Sequence, residues 1–224
     1  DRVGILAGDK IVTIDGEDAF GKKVNNEYVA EHLRGKKGTK VTLGIKRGKS
    51  DELIDYEVIR DKIPLNSIEA AFMVDKNVGY IKLDRFAQSS NDEFEEALAK
   101  LKAQKMKSLI LDLRGNTGGY LNIAAELSNQ FLKKDMTIVY TEGDKSPKQI
   151  FNTDKNGKFT DGKLIVLIDE GSASASEIVS GAVQDWDRGV LIGRRSFGKG
   201  LVQRPFNLHD GSQVRLTTAR YYTP

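Results

Sequence analysis

Four short apolar runs, NVGYIKL, SLILDL, KLIVLID and GVLIG, recur from residue 77 onward with helix-patterned segments between them. This recurrence is the tightest constraint the chain carries. Runs of this length suit strands buried on both faces. Segments 91–104, 120–132 and 174–186 space their apolar residues as amphipathic helices do. Strand, helix, strand, helix, strand is the order of a parallel-type sheet, because right-handed crossovers return each strand beside the last and lay the helices on the sheet. The fold class expected is therefore α/β, in a mixed α+β chain. A polar insert over 140–162 has hairpin-like turns, and SQVRLTTARYY alternates polar and apolar residues as a half-exposed strand does.

The first 60 residues follow a different pattern. KIVTIDG reads as a strand closed by an Asp-Gly turn, and NNEYVAEHLRG as an Asn-capped helix ended by Gly35. GTKVTLGIKRG and ELIDYEVIR supply two more strands, and RDKIP, with Pro64, makes a domain boundary. The expected organisation is a small unit over 1–62, a linker over 63–67 and a larger unit over 68–224.

With 39% apolar and 30% charged residues the chain is of ordinary globular composition. Its net charge of +3 comes from 35 basic and 32 acidic residues spread along the sequence, without the basic stripe that a nucleic-acid surface needs, so no nucleic-acid partner is expected. No apolar run is long enough for a membrane-spanning helix. The start at Asp1 and the stop just after a strand-like run read as those of a fragment whose signal or anchor lies elsewhere. The absence of cysteine removes disulfides, thiolate metal sites and Cys nucleophiles. Neither a metal nor a cofactor is called for.

DEGSASASE, residues 169–177, places Ser172, Ser174 and Ser176 at alternate positions before a helix. Ser174 to Glu177 fits the capping box S-x-x-E. A serine on the first helical turn also sits beside free backbone N–H groups and the positive dipole end, which are oxyanion-hole components. A hydroxyl needs a base, and neither histidine recommends itself: His32 lies on the helix of the first segment and His209 in the turn LHDG. GRRSFGKGLVQ, residues 193–203, offers Lys199 flanked by glycines. A lysine amine is almost wholly protonated at neutral pH, so a lysine that serves as base must sit against apolar walls. Gln203, four residues on, falls on the same face in either strand or helix and would orient the amine without a competing charge. The same stretch spells G-x-x-x-x-G-K, but Gly200 stands where a phosphate-binding loop needs Ser or Thr. In LILDLRGNTGG, residues 109–119, glycines let backbone N–H groups point at a developing oxyanion, or simply cap a strand-to-helix turn.

Together these segments resemble the carboxyl-terminal processing peptidases, or tail-specific proteases, serine peptidases with a Ser-Lys dyad. The family pattern D-L-R-x-N-x-G-G matches residues 112–119, G-S-A-S-A-S-E matches 171–177, and F-G-K-G-x-V-Q matches 197–203, with Ser174 and Lys199 separated by 25 positions. The resemblance implies a ClpP/crotonase-like peptidase core, Ser174 as nucleophile, Lys199 as general base and Gln203 as its orienting partner. It also implies an oxyanion hole from the N–H groups of Ala175 and Gly119 or Gly118, with Ser172 and Ser176 as helix-start and packing residues. The first segment, through ILAGDKIVTIDGE, the helix and GTKVTLGIKR, looks like part of a PDZ domain whose first strand and carboxylate-holding loop are missing. The function implied is ATP-independent endoproteolysis of polypeptides near their C-termini, with a homo-oligomer or regulatory partner protein allowed and an extracytoplasmic location. The alternative is an inactive or PDZ-gated fragment serving as a protein-binding scaffold. A crotonase-type acyl-CoA enzyme would need a CoA site that is not identifiable.

Overall fold

The computed structural model describes residues 3–21, 24–50, 52–61 and 66–224. The chain divides into two compact units, Asp1–Leu65 and Asn66–Pro224. Pro64 and most of the linker expected over 63–67 lie outside the described residues.

The first unit is one antiparallel sheet with a short helix. Strands β1 (Lys10–Ile14), β2 (Glu17–Asp18), β3 (Lys40–Lys46) and β4 (Leu53–Ile59) take the order β2-β1-β3-β4. Asp15 and Gly16 join β1 to β2 with φ of 49° and 85°, the paired positive angles of a tight hairpin turn. Helix α1 (Asn26–Leu33) starts at Asn25, whose side chain accepts from Tyr28 N–H at 2.8 Å. Its end differs from the glycine stop that the sequence suggests. Arg34 leaves the helix in extended conformation, and the guanidinium of Arg60 donates to the carbonyls of His32 and Leu33 at 2.9 and 2.8 Å. Ile14, Val41, Leu43 and Ile45 form the core. His32 stacks on Tyr28 and bonds that residue's carbonyl through Nδ1, a structural role.

The second unit contains the parallel sheet. Strands β5 (Ile68–Met73), β6 (Val78–Leu83), β7 (Ser108–Asp112), β10 (Lys163–Ile168) and β11 (Val190–Gly193) take the order β11-β10-β7-β6-β5. All neighbours are parallel except the edge pair β5–β6. Helices α2 (Ser90–Ala103), α3 (Leu121–Asn129) and α4 (Ala175–Asp185) follow β6, β7 and β10. Each helix repeats its buried apolar residues at spacings of three and four: Phe94, Ala97, Leu98 and Leu101 on α2, Ile123, Ala124 and Leu127 on α3, Ile178, Val179, Ala182 and Val183 on α4. Beneath them lie alternate strand residues, Ile81 and Leu83, Leu109 and Leu111, Leu164 and Val166. Helix α3 is shorter than the segment 120–132, because Gln130 and Phe131 donate back three residues and tighten the last turn.

The polar insert is a hairpin, β8 (Thr137–Gly143) with β9 (Ser146–Asn152). It joins a second antiparallel sheet, β12-β13-β8-β9, through β13 (Gln213–Tyr222) and β12 (Leu201–Asn207). His209 lies in the turn between β12 and β13. No helix among the described residues is long and apolar enough to cross a membrane.

Phe94 and Phe131, both fully buried, meet edge to face with centroids 5.6 Å apart and lock α2 to the end of α3. Phe94→Ala is expected to destabilise this unit by about 3–5 kcal/mol, read as a lower urea midpoint at unchanged slope.

Candidate active site

The loops at the carboxyl ends of β7, β10 and β11, with the first turn of α4, hold every candidate site residue except Gln203. That is where an open parallel sheet places its ligands. β10 ends at Ile168 and α4 starts at Ala175, so the three serines lie on the connection and the first helical turn.

Ser174 is the N-cap of α4, with φ 56° and ψ −109°. A side chain in that region is strained, at a cost of about 1–3 kcal/mol, and is kept there only by its surroundings. The surroundings are specific. Ser174 N–H donates to Glu177 Oε2 at 2.8 Å, the carboxylate half of the expected capping box. Ala173 N–H donates to the carbonyl of Asn116 at 3.0 Å. Ser172 and Ser176 are fully buried. Their hydroxyls donate to the carbonyls of Leu113 and Asn116, each at 2.8 Å, and tie this elbow to the glycine loop after β7.

That glycine loop packs directly on the elbow. Gly118 has φ 103°, and a Cβ there would stand 2.7 Å from the Ala173 carbonyl and 2.9 Å from Ser174 Cβ. Gly119 has φ 152°, and a Cβ on it would collide with the Phe86 carbonyl. Asn116 shapes the turn: its Nδ2 donates to Leu83 O, and its Oδ1 accepts from Gly118 N–H, both at 2.9 Å. The Gly118 donor is therefore already engaged. The N–H groups of Gly119 and Ala175 have no acceptor among the described residues. Two unengaged donors and the positive end of α4 thus flank Ser174.

Lys199 reaches the site from the loop after β11. It lines a cavity of about 250 Å³ together with Ser174, Glu177, Val139, Ile178, Tyr221 and Thr223. The carboxylate of Glu177 binds this loop to the elbow. Oε1 accepts from Ser196 Oγ at 2.8 Å and Gly198 N–H at 2.7 Å, and Oε2 accepts from Lys199 N–H and Ser174 N–H, each at 2.8 Å. The sequence reading had Glu177 only as a helix cap. The S-x-x-E spacing was the signal that marked it, but its second set of partners is 19 to 22 residues away.

Gln203 lies on β12. It is exposed, opposite Thr217, and is not part of the cavity wall. Lys199 precedes the strand, and the pairing register slips between Val202 and Gln203. The extra residue of that slip, Thr218, lies on β13, and the alternation on which the shared-face argument relied does not extend to Lys199, which sits in the loop before β12.

Beside the elbow, Asp169 Oδ1 accepts from Gly115 N–H at 2.8 Å and Gly171 N–H at 2.9 Å, and these bonds hold its carboxyl below the usual range. Asp112, fully buried at the end of β7, is opposed by burial, yet the forked bonds from Arg114 and the 2.6 Å bond from Tyr80 Oη keep its carboxyl low. Burial, reinforced by Asp112, raises the Tyr80 phenol. Among the described residues no group of three or more His, Cys, Asp or Glu side chains could hold a metal ion.

Comparison with known proteins places this geometry. The model of peptidase family S41 matches residues 77–224. The chain is 40% identical over its whole length to the carboxy-terminal-processing protease of Bartonella bacilliformis, of which it covers 51%. It is 37% identical, again over its whole length, to the chloroplastic carboxyl-terminal-processing peptidase 3 of Arabidopsis thaliana, of which it covers 45%. The structure of a photosystem II D1 C-terminal processing protease superposes on 98% of this chain and 60% of its own, with a TM-score of 0.65 and 29% identity. The chain spans about half the length of the curated relatives it matches. An elbow serine and a lysine loop that share one cavity, with a glycine loop packed against the elbow, thus occur on a chain that belongs to peptidase family S41.

Proposed function

We propose that the chain is part of a serine endopeptidase that cuts polypeptides near their C-termini without ATP. The observation that carries this reading is the single cavity onto which Ser174 and Lys199 both open, with unengaged N–H groups beside the serine. Ser174 Oγ attacks the scissile carbonyl carbon while Lys199 Nζ takes the hydroxyl proton. The carbonyl oxygen becomes an oxyanion facing the N–H groups of Ala175 and Gly119. Collapse breaks the C–N bond, the leaving amine takes the proton from Lys199, and an acyl-serine remains. Water, deprotonated by the same lysine, then releases the acid and regenerates the hydroxyl. The engaged Gly118 N–H favours Gly119 as the second donor. The orienting role of Gln203 rests on the family pattern alone.

Apolar walls from Val139, Ile178 and Tyr221 suit an apolar substrate side chain. The first unit is read as a partial PDZ domain over 1–62, joined by 63–67 to the peptidase core over 68–224. A regulatory partner or homo-oligomer is compatible with this organisation. The location proposed is extracytoplasmic, supported by family resemblance; the relatives include bacterial and chloroplastic processing proteases.

In the full-length protein a fluorophosphonate probe should label Ser174 alone, seen by peptide mass mapping, and Ser174→Ala should abolish labelling and cleavage. Lys199→Ala should lower kcat/KM by about 10²–10⁴. Wild-type cleavage by either variant would refute the dyad. Glu177→Gln keeps the shape but removes the charge and puts an NH₂, which cannot accept, in place of one oxygen, so two of the four bonds are lost and two weakened, and kcat should fall at least about tenfold with KM little changed. An unaltered kcat would show that the carboxylate does not position the site.

A further inference from the structure

The two unengaged N–H groups beside Ser174 come from different segments, Gly119 from the loop after β7 and Ala175 from the end of the connection after β10. An oxyanion is held only if both donors reach one point. Whatever fixes these segments against each other therefore belongs to the site.

Each segment opens with a tight turn. Asn116 N–H closes on the Leu113 carbonyl at 3.1 Å, and Ser172 N–H on the Asp169 carbonyl at 2.9 Å. The third residue of each turn is a glycine, Gly115, with φ 75°, and Gly171. The N–H at that position is not bonded by the turn's own backbone and needs another acceptor. One atom serves both: Asp169 Oδ1 accepts from Gly115 N–H at 2.8 Å and from Gly171 N–H at 2.9 Å. The turns are in contact, since a Cβ on Gly171 would stand 2.9 Å from Gly115 Cα. From this shared oxygen the chain runs four residues to each donor, 115 to 119 and 171 to 175. The other bonds between the two segments, from Ser172 Oγ, Ala173 N–H and Ser176 Oγ to the carbonyls of Leu113 and Asn116, are neutral. Asp169 Oδ2 has no hydrogen-bond partner among the described residues.

We propose that Asp169 is a positioning residue of the hydrolytic site: through Oδ1 it holds the glycine turn against the serine turn and so sets the spacing of the Gly119 and Ala175 donors. This inference rests on the peptidase reading above. The role is one of geometry, because it needs an acceptor at Oδ1 alone. Asparagine supplies that acceptor without the charge, whereas glutamate keeps the charge and misplaces the oxygen by one methylene.

The test uses the full-length protein and its variants Asp169→Ala, Asp169→Glu and Asp169→Asn. For each, kcat and KM on one peptide substrate are measured per Ser174 titrated with the fluorophosphonate probe, and hydrogen exchange of segments 113–119 and 169–175 is followed by mass spectrometry. Asp169→Ala and Asp169→Glu should each lose at least about tenfold in kcat with KM little changed, and both segments should exchange faster. Asp169→Asn should recover most of the lost kcat and the slow exchange. A variant that only folded less well would titrate fewer serines and keep its kcat per site. The inference fails if Asp169→Ala keeps the wild-type kcat per site, if Asp169→Glu is as active as Asp169→Asn, or if exchange changes in neither segment. A wild type that neither cleaves nor is labelled refutes the peptidase reading instead, and the exchange measurement then decides whether Asp169 joins the turns.

Discussion

The apolar face of the parallel sheet has to be kept from water, and covering it determines where everything else lies. Helices α2, α3 and α4 pack on alternate residues of β6, β7 and β10. Each strand must then be followed by a loop that climbs from its carboxyl end to a helix. Three such loops meet at one edge. Chemistry is possible at that edge because backbone groups not consumed by strand pairing are available there, on a scaffold whose core is dry.

The elbow at Ser174 is the costliest point of that edge. A non-glycine residue at φ 56° returns to an ordinary conformation unless its neighbours prevent it. Glu177 opposes that relaxation with one carboxylate shared between Ser174 N–H and three donors of the lysine loop. Charge-assisted bonds of this kind are stronger than neutral ones, and here they couple two loops far apart in sequence. Movement of the lysine loop is thereby movement of the serine as well.

Close approach on the other side depends on glycine. Gly118 has no room for a Cβ between the Ala173 carbonyl and Ser174, and Asn116 holds the turn that brings it there. Packing also decides which donors stay available, since Gly118 N–H is spent on Asn116 while those of Gly119 and Ala175 are not.

The sequence by itself determined what periodicity and spacing can encode. The apolar runs and helical stripes place the parallel strands and α2 to α4 nearly as observed, and three motifs marked Ser174, Lys199 and the glycine loop. Edge strands β5 and β12 went unseen, because exposed strands carry little apolar signal. The tertiary structure alone decided that Gln203 lies exposed on β12, outside the cavity wall, and that Gly118 is engaged. It also made a helix cap, Glu177, the tie between two loops. Each of these depends on hydrogen-bond partners distant in the chain, and local sequence patterns carry no information about which distant donor a given acceptor will meet.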